Sequence, residues 1–396
     1  MTAQRLRVAV RRVHLWLGLS VGALFALVGL TGSVLVFYPE LDDRLHPALA
    51  RVQPGRPVSW QAVYDALRRD HPARTGAWRI EVTPHGGPIP VRYYRPIETK
   101  GRDFAPLMLW LDPHSLRAVR IGFWGGYPTT WIYDLHYRLL LDKPGGTVLG
   151  LIGIVMLAML VSGLWAWWPR GEGWRRALAW KRGAARSRRL YDWHKWAGIG
   201  GAPVLIVVTA TGVMLDLPDQ VRPAVATVSP LFATPHPTVR PEYGRGRQPQ
   251  LCFDRLSTNG RVCGRGKDGR LSLDTLVARA ETLLPGSRLA WIETPADAAA
   301  ALRVNLMVPG EPSRRFPRSN VWIDPYTGRV LAVRDERRDS GGDTVLAWLH
   351  PLHGGEALGL AGRWLVFVSG LLPAVLFGTG VWRWAIRRRR REPLPG

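Results

Sequence analysis

VHLWLGLSVGALFALVGLTGSVLVF, running from Val13 to Phe37, decides the fold: its 25 residues carry no charge, and Arg11 and Arg12 stand immediately before it. About 20 apolar residues are enough to cross a hydrocarbon core. Three further uncharged runs of that size follow, Thr147 to Trp168, Trp196 to Leu215 and Trp364 to Trp382. The sequence therefore predicts four spanning helices. A mean hydropathy of -0.05 hides them, because very basic flanks are averaged with apolar helices.

The 396 residues include 54 Lys and Arg against 30 Asp and Glu, a net +24. In a soluble protein such a surplus points to nucleic acid. Its position here excludes that partner. Arg5 to Arg12, the stretch from Arg170 to Lys195 and the tail from Arg383 to Arg391 hold 19 basic residues against Glu172, Asp192 and Glu392, a net of +16 in three short segments. The positive-inside rule assigns these segments and both termini to the cytoplasm. Membrane lipid is then the partner of the helices, and the long segments from Tyr38 to about Pro144 and from Asp216 to about Gly362 lie outside. Many of the 19 Trp fall near helix ends, where aromatic rings anchor the interface. The first run is an uncleaved anchor, since Ala48-Leu49-Ala50 lies too far past its end to serve as a signal-peptide cleavage site.

The chain repeats itself. His14-x-Trp16-x-Gly18 matches His194-x-Trp196-x-Gly198, and Thr31-Gly32 and Thr211-Gly212 follow 17 residues after each His. Leu135-His136 matches Leu352-His353, with Gly163-x-Trp165-x-Trp167 and Gly380-x-Trp382-x-Trp384 at equal distances behind them. The outside segments repeat more loosely, as loops do. A helical stretch at Val58 to Arg69 precedes Ile80-Glu-Val-Thr-Pro84, a strand near Val91 to Arg95, and Leu109-Trp-Leu-Asp-Pro113. Its counterpart is a helix marked by Leu271, Leu276, Val277 and Leu283, then Trp291-Ile-Glu-Thr-Pro295, Leu302 to Val308, and Val321-Trp-Ile-Asp-Pro325. Each outside segment is expected to be a small α+β module.

Four of the ten histidines sit in the matched positions. On this topology His14 and His194 form an inner pair and His136 and His353 an outer pair. Neutral imidazoles projecting from helices are axial ligands for haem iron, so two non-covalent bis-His haems are the expectation. A lone interfacial His needs no ligand. What favours ligation is that the four divide into one pair for each membrane face. His350 competes with His353 for the outer position, but it aligns with Tyr133. His46, His71, His85, His114 and His236 are read as solvated surface, with His46 the one closest in sequence to the outer end of the first helix. Cys252 and Cys263 are expected to pair in an oxidising compartment, and the absence of Cys-x-x-Cys-His excludes covalent c-type haem. Gly198-Ile-Gly-Gly201 lies within a spanning run and is read as helix packing rather than dinucleotide binding. With no flavin or nicotinamide site visible, any electrons must come from a separate donor.

Taken together, the His-x-Trp-x-Gly helix starts, the Leu-His motifs, the Asp-Pro turns at Asp112 and Asp324 and the Gly-x-Trp-x-Trp helix ends resemble the PepSY-associated transmembrane helix family over nearly the whole chain. The first Asp-Pro turn departs from the pattern, reading Asp112-Pro-His-Ser-Leu116 where the second ends in Thr327-Gly328. The resemblance implies a membrane α-helical protein: a four-helix transmembrane bundle built from a tandem repeat, with two periplasmic α+β PepSY-like modules. The boundaries would be a cytoplasmic N-terminus and first helix over 1–38, module 39–144, helix 145–169, basic loop 170–193, helix 194–216, module 217–362, and last helix with basic tail over 363–396.

Some members of that family are ferrisiderophore reductases of the bacterial inner membrane with two b-type haems. What the resemblance implies here is an inner haem on His14 and His194, an outer haem on His136 and His353, and reduction of ferric iron held by a siderophore or other chelate. Arg92, Arg95, Arg314, Arg315 and Arg318 would attract an anionic chelate, or are simply solvated charge. Two other functions fit the same residues: a PepSY binding or regulatory protein whose helices are only an anchor, and a haem carrier serving another reductase.

Overall fold

The computed structural model describes residues 3–57, 59–83, 86–169, 173–180, 183, 185–235, 237–239 and 269–389. Cys252 and Cys263 with their expected pairing, and His85 and His236, lie outside the described residues. In chain order the elements are α1 (Ala3–Ser20), α2 (Gly22–Val36), α3 (Tyr38–Leu45), α4 (Pro47–Ala50) and α5 (Trp60–Asp70), then β1 (Trp78–Glu81), β2 (Ile89–Tyr93), β3 (Leu107–Leu111) and β4 (Ala118–Phe123). Next come α6 (Pro128–Arg138), α7 (Asp142–Trp167), α8 (Trp174–Leu178), α9 (Arg186–Asp216), α10 (Pro218–Ala226) and α11 (Leu273–Leu283). The chain continues with β5 (Arg288–Glu293), β6 (Leu302–Met307), β7 (Ser319–Ile323), β8 (Val330–Arg334), α12 (Gly341–Gly354) and α13 (Gly359–Arg389). Two compact units result. The helical one gathers Met1–Pro39, Trp131–Ala224 and Trp348–Gly396, and the sheet unit gathers Glu40–Thr130 and Val225–Ala347. Most of α6 and the end of α12 thus pack with the helical unit.

Among the described residues α7, α9 and the helix ending at Arg389 are each long and apolar enough to cross a membrane, and α1 with α2 make a fourth span if a bent pair counts as one. This is a membrane protein. The single first helix expected from the uncharged run is instead two helices meeting at 59°. The cause is local. Ser20 Oγ donates back to Trp16 O (2.8 Å), which loosens the helical ladder. Beside it Gly22 lets Phe377 come so near that a Cβ would lie 2.8 Å from its ring. Ser and Gly together are a recognised cause of helix kinks.

In the sheet unit the alternation of apolar residues produces one eight-stranded antiparallel sheet of order β4-β3-β2-β1-β5-β6-β7-β8. The two expected modules are present as its halves, but they are not separate. β1 pairs with β5, Ile80 opposite Ile292, and the ladder is closed at both ends by equivalent bonds, Val82 N to Ala290 O and Thr294 N to Trp78 O, each 2.8 Å. Helices α5 and α11 cover one face, where Val63, Leu67, Leu276 and Val277 pack on Trp78, Ile80, Ile292 and Val304.

Those two helices cap each other. Ser59 and Ser272 occupy equivalent N-cap positions. Two residues on from each, Asp274 accepts from Trp60 N (2.8 Å), Gln61 N (3.1 Å) and Ser59 Oγ (2.6 Å), while Gln61 Oε1 accepts from Leu273 N (3.0 Å). A carboxylate holding first-turn N–H groups makes charge-assisted bonds and complements the helix dipole. Asp274→Ala is expected to destabilise the sheet unit by about 2–3 kcal/mol, seen as a lower unfolding temperature of that transition, with Asp274→Asn recovering part of the loss.

The two Asp-Pro turns are superimposable in their bonding. Asp112 Oδ1 accepts from His114 N and Ser115 N, and Asp324 Oδ1 accepts from Tyr326 N and Thr327 N. Gly328 adopts φ +70, and Leu116 is forced to φ +56 at the equivalent place. The departure from the family pattern therefore puts a side chain into backbone territory that favours glycine.

One feature of this unit responds to pH. Glu311 accepts from Ser319 N (3.2 Å) and Ser319 Oγ (2.6 Å), and shares a hydrogen bond with Glu336. Burial, and then the Glu311 charge, pushes the Glu336 carboxyl up from its ordinary 4.5 to about 8. A folded-state value raised above the unfolded one gives stability that is complete below about 4.5 and is lost as pH rises through about 8. Glu336→Gln is expected to flatten this loss, on the order of 1 kcal/mol after solvent screening of a half-exposed pair. Unfolding temperatures of both proteins across pH 4 to 9 check it.

Candidate functional site

Four histidines in the helical unit are held in one and the same way. His14 on α1 meets α7: its Nδ1 lies 3.1 Å from Met159 O and 3.2 Å from Ser162 Oγ. His194 on α9 meets α13, with Nδ1 3.0 Å from Leu376 O and 3.1 Å from Thr379 Oγ1. His136 on α6 meets α2, with Nδ1 3.1 Å from Val28 O and 3.0 Å from Thr31 Oγ1. His353 on α12 meets α9, with Nδ1 2.9 Å from Val208 O and 3.4 Å from Thr211 Oγ1. A carbonyl oxygen only accepts, so each Nδ1 carries the proton and donates it. Nε2 of each ring keeps its lone pair and makes no hydrogen bond among the described residues.

The receiving helices share a three-part device: a carbonyl at position i−3, a hydroxyl at i and a glycine at i+1. The glycine is a matter of space. A Cβ on Gly32 would lie 2.8 Å from His136 Cε1, one on Gly163 2.8 Å from His14 Cε1, and one on Gly212 3.0 Å from His353 Cε1. Gly380 is looser, at 3.7 Å from His194 Cε1. The sequence offered Thr-Gly and Gly-x-Trp as two distinct motifs. They are one. Ser162-Gly163 and Thr379-Gly380 do for the helix-start histidines what Thr31-Gly32 and Thr211-Gly212 do for the Leu-His ones. The dipeptide common to all four spans was the signal that sequence reasoning passed over.

The histidines then face each other across the two halves of the chain. The His14 and His194 ring centroids are 6.3 Å apart with planes at 83°, and those of His136 and His353 are 6.0 Å apart at 50°. His353, not the exposed His350, is the partner that the fold brings to His136. Helix α9 bears on both pairs, carrying His194 near one end and docking His353 through Thr211 near the other. On α9, His194 is 17 residues from Thr211, roughly 25 Å at 1.5 Å per residue.

These separations test whether haem fits. Two metal–imidazole bonds of about 2.0 Å, plus about 1.2 Å from each nitrogen to its ring centre, add to about 6.4 Å. The centroid separations of 6.3 Å and 6.0 Å lie near that sum. Among the described residues no group of three or more His, Cys, Asp or Glu is arranged to hold a bare ion. Two imidazoles per site could supply two of the ligands of a group that brings the others with it.

Of the remaining candidates, His46, Arg92 and Arg318 are engaged in the sheet unit, whereas Arg95 and Arg314 are exposed. His46 donates to Asp42 O (2.9 Å), and buried Asp42 accepts from Arg120 (2.7 Å) and Thr129 (2.6 Å). Arg92 pairs with Glu81 (2.9 Å) and Arg318 with Asp343 (3.3 Å), so these two arginines are committed to internal carboxylates.

Over 269 residues the chain is 25% identical to a Pseudomonas aeruginosa protein named Uncharacterized protein PA4219, which covers 65% of this chain and 63% of that one. The family model described as PepSY-associated TM region matches residues 11–387, a span that begins three residues before His14 and takes in all four histidines with their glycine docks. On that match the chain belongs to the PepSY-associated TM region family.

Proposed function

We propose that this protein is a di-haem b electron-transfer protein of the bacterial inner membrane that reduces ferric iron, held by a siderophore or another chelate, at its periplasmic face. The observation that carries the proposal is the pair of imidazole pairs, each ring with Nδ1 bound and Nε2 free, each pair at the separation that bis-His ligation needs. His14 and His194 would hold one haem, His136 and His353 the other. Haem supplies reversible one-electron chemistry at its iron. The chain contributes orientation: each ring is fixed by a carbonyl, a hydroxyl and a glycine on a neighbouring helix. In this reading the helices form a four-helix bundle made by tandem duplication, the basic termini are cytoplasmic, and the sheet unit is periplasmic. Ferric chelates suit such a protein because hard oxygen donors hold Fe(III) far better than Fe(II), so reduction releases the metal. A separate donor supplies the electrons.

Absorbance of the purified protein, oxidised and then dithionite-reduced, tests this. A Soret band that shifts on reduction, with sharpened visible bands, is expected. Colourless protein from haem-replete cells would sink the redox reading and leave a membrane anchor carrying a binding domain. Mixing reduced protein with ferric chelates in a stopped-flow instrument tests the substrate. Haem that stays reduced would mark the protein as a carrier for some other reductase.

A further inference from the structure

A carbonyl accepts from each Nδ1–H, and every one of the four sites adds a hydroxyl. Each hydroxyl has already spent its own proton. Thr31 donates to Leu27 O and Val28 O, Ser162 to Met159 O, Thr211 to Val207 O and Val208 O, and Thr379 to Val375 O and Leu376 O. What faces the imidazole is therefore a lone pair, and the ring N–H is accepted twice. Back-bonded Ser and Thr are common in helices and slightly unfavourable there compared with alanine. That explains one such residue, but it does not explain four at the same offset from four docked rings.

A doubly accepted N–H has two consequences. It fixes the tautomer that leaves Nε2 available, and it raises the basicity of that nitrogen as a ligand. A more basic ligand favours the oxidised, more positive metal. We propose that the hydroxyls of Thr31, Ser162, Thr211 and Thr379 are positioning residues that hold each histidine in its Nδ1–H form and lower the reduction potential of the iron it binds, pair by pair. The potential half of this rests on the di-haem reading; the tautomer half does not.

Thr31→Val keeps the shape and removes the acceptor, and Thr31→Ser restores it. Potentiometric titration of the haem-loaded protein should show Thr31→Val raising the potential of one component, that of the His136 and His353 pair, by a three- to tenfold change in its reduction constant, about 30 to 60 mV at 59 mV per tenfold. Thr31→Ser should sit at the wild-type value. Ser162→Ala should move the other component alone. Unchanged potentials in Thr31→Val, or an equal shift in Thr31→Ser, would overturn the potential half.

The same variants with 15N-labelled histidine, studied without haem, separate failure here from failure of the di-haem reading. Wild-type rings should give Nδ1–H tautomer signals, and Thr31→Val should perturb His136 alone. Nε2–H signals in the wild type, or a His136 signal indifferent to Thr31→Val, would overturn the tautomer half whether or not the protein takes haem.

Discussion

Alanine in place of His136 is expected to remove about half of the bound haem, and His14→Ala the other half, with the double variant colourless. The geometry behind the expectation is that each ring faces a single partner, 6.0 Å away for His136 and 6.3 Å for His14, with no third donor grouped beside them among the described residues. His350→Ala should retain the full complement, because its ring is not the one facing His136. The measurement is haem per chain, with the reduced-minus-oxidised spectrum assigning the component lost. Full haem content in both single variants would refute the ligand assignment outright.

Gly32→Ala and Gly163→Ala should come close to the same loss without touching a ligand. The added methyl would lie 2.8 Å from His136 Cε1 or His14 Cε1, inside contact distance of a ring pinned at Nδ1 by two acceptors. Relief requires the ring to leave both, and overpacking of this kind costs about 1–3 kcal/mol, so haem affinity at that pair should fall roughly ten- to a hundredfold. Gly380→Ala is the internal control. Its methyl would meet His194 Cε1 at 3.7 Å, an ordinary van der Waals contact, and should change affinity little. If Gly380→Ala were as damaging as Gly32→Ala, packing against the ring would not be what the glycines provide.

The ion-paired arginines bear on the substrate. Arg92 and Arg318 are matched by Glu81 and Asp343, so the sequence-level expectation that they are free to draw in an anionic chelate has no support in their contacts.

Much was legible in the sequence because the relevant physics is local. A run of some 20 residues without charge reports the apolar solvent around it whatever it packs against. The strands of the sheet unit follow from period-two burial, as in Leu302, Val304 and Leu306, all fully buried on β6. Duplication preserved equal spacings, and the spacings singled out His14, His136, His194 and His353. Tertiary structure alone decided the rest. That β1 joins β5 in one sheet leaves no trace in composition, since backbone N–H and C=O groups pair with any edge that is presented to them. The break near Val21 and the docking of each ring on a hydroxyl and a glycine depend on how closely two helices approach, and that distance is set by side chains more than a hundred residues apart in the chain.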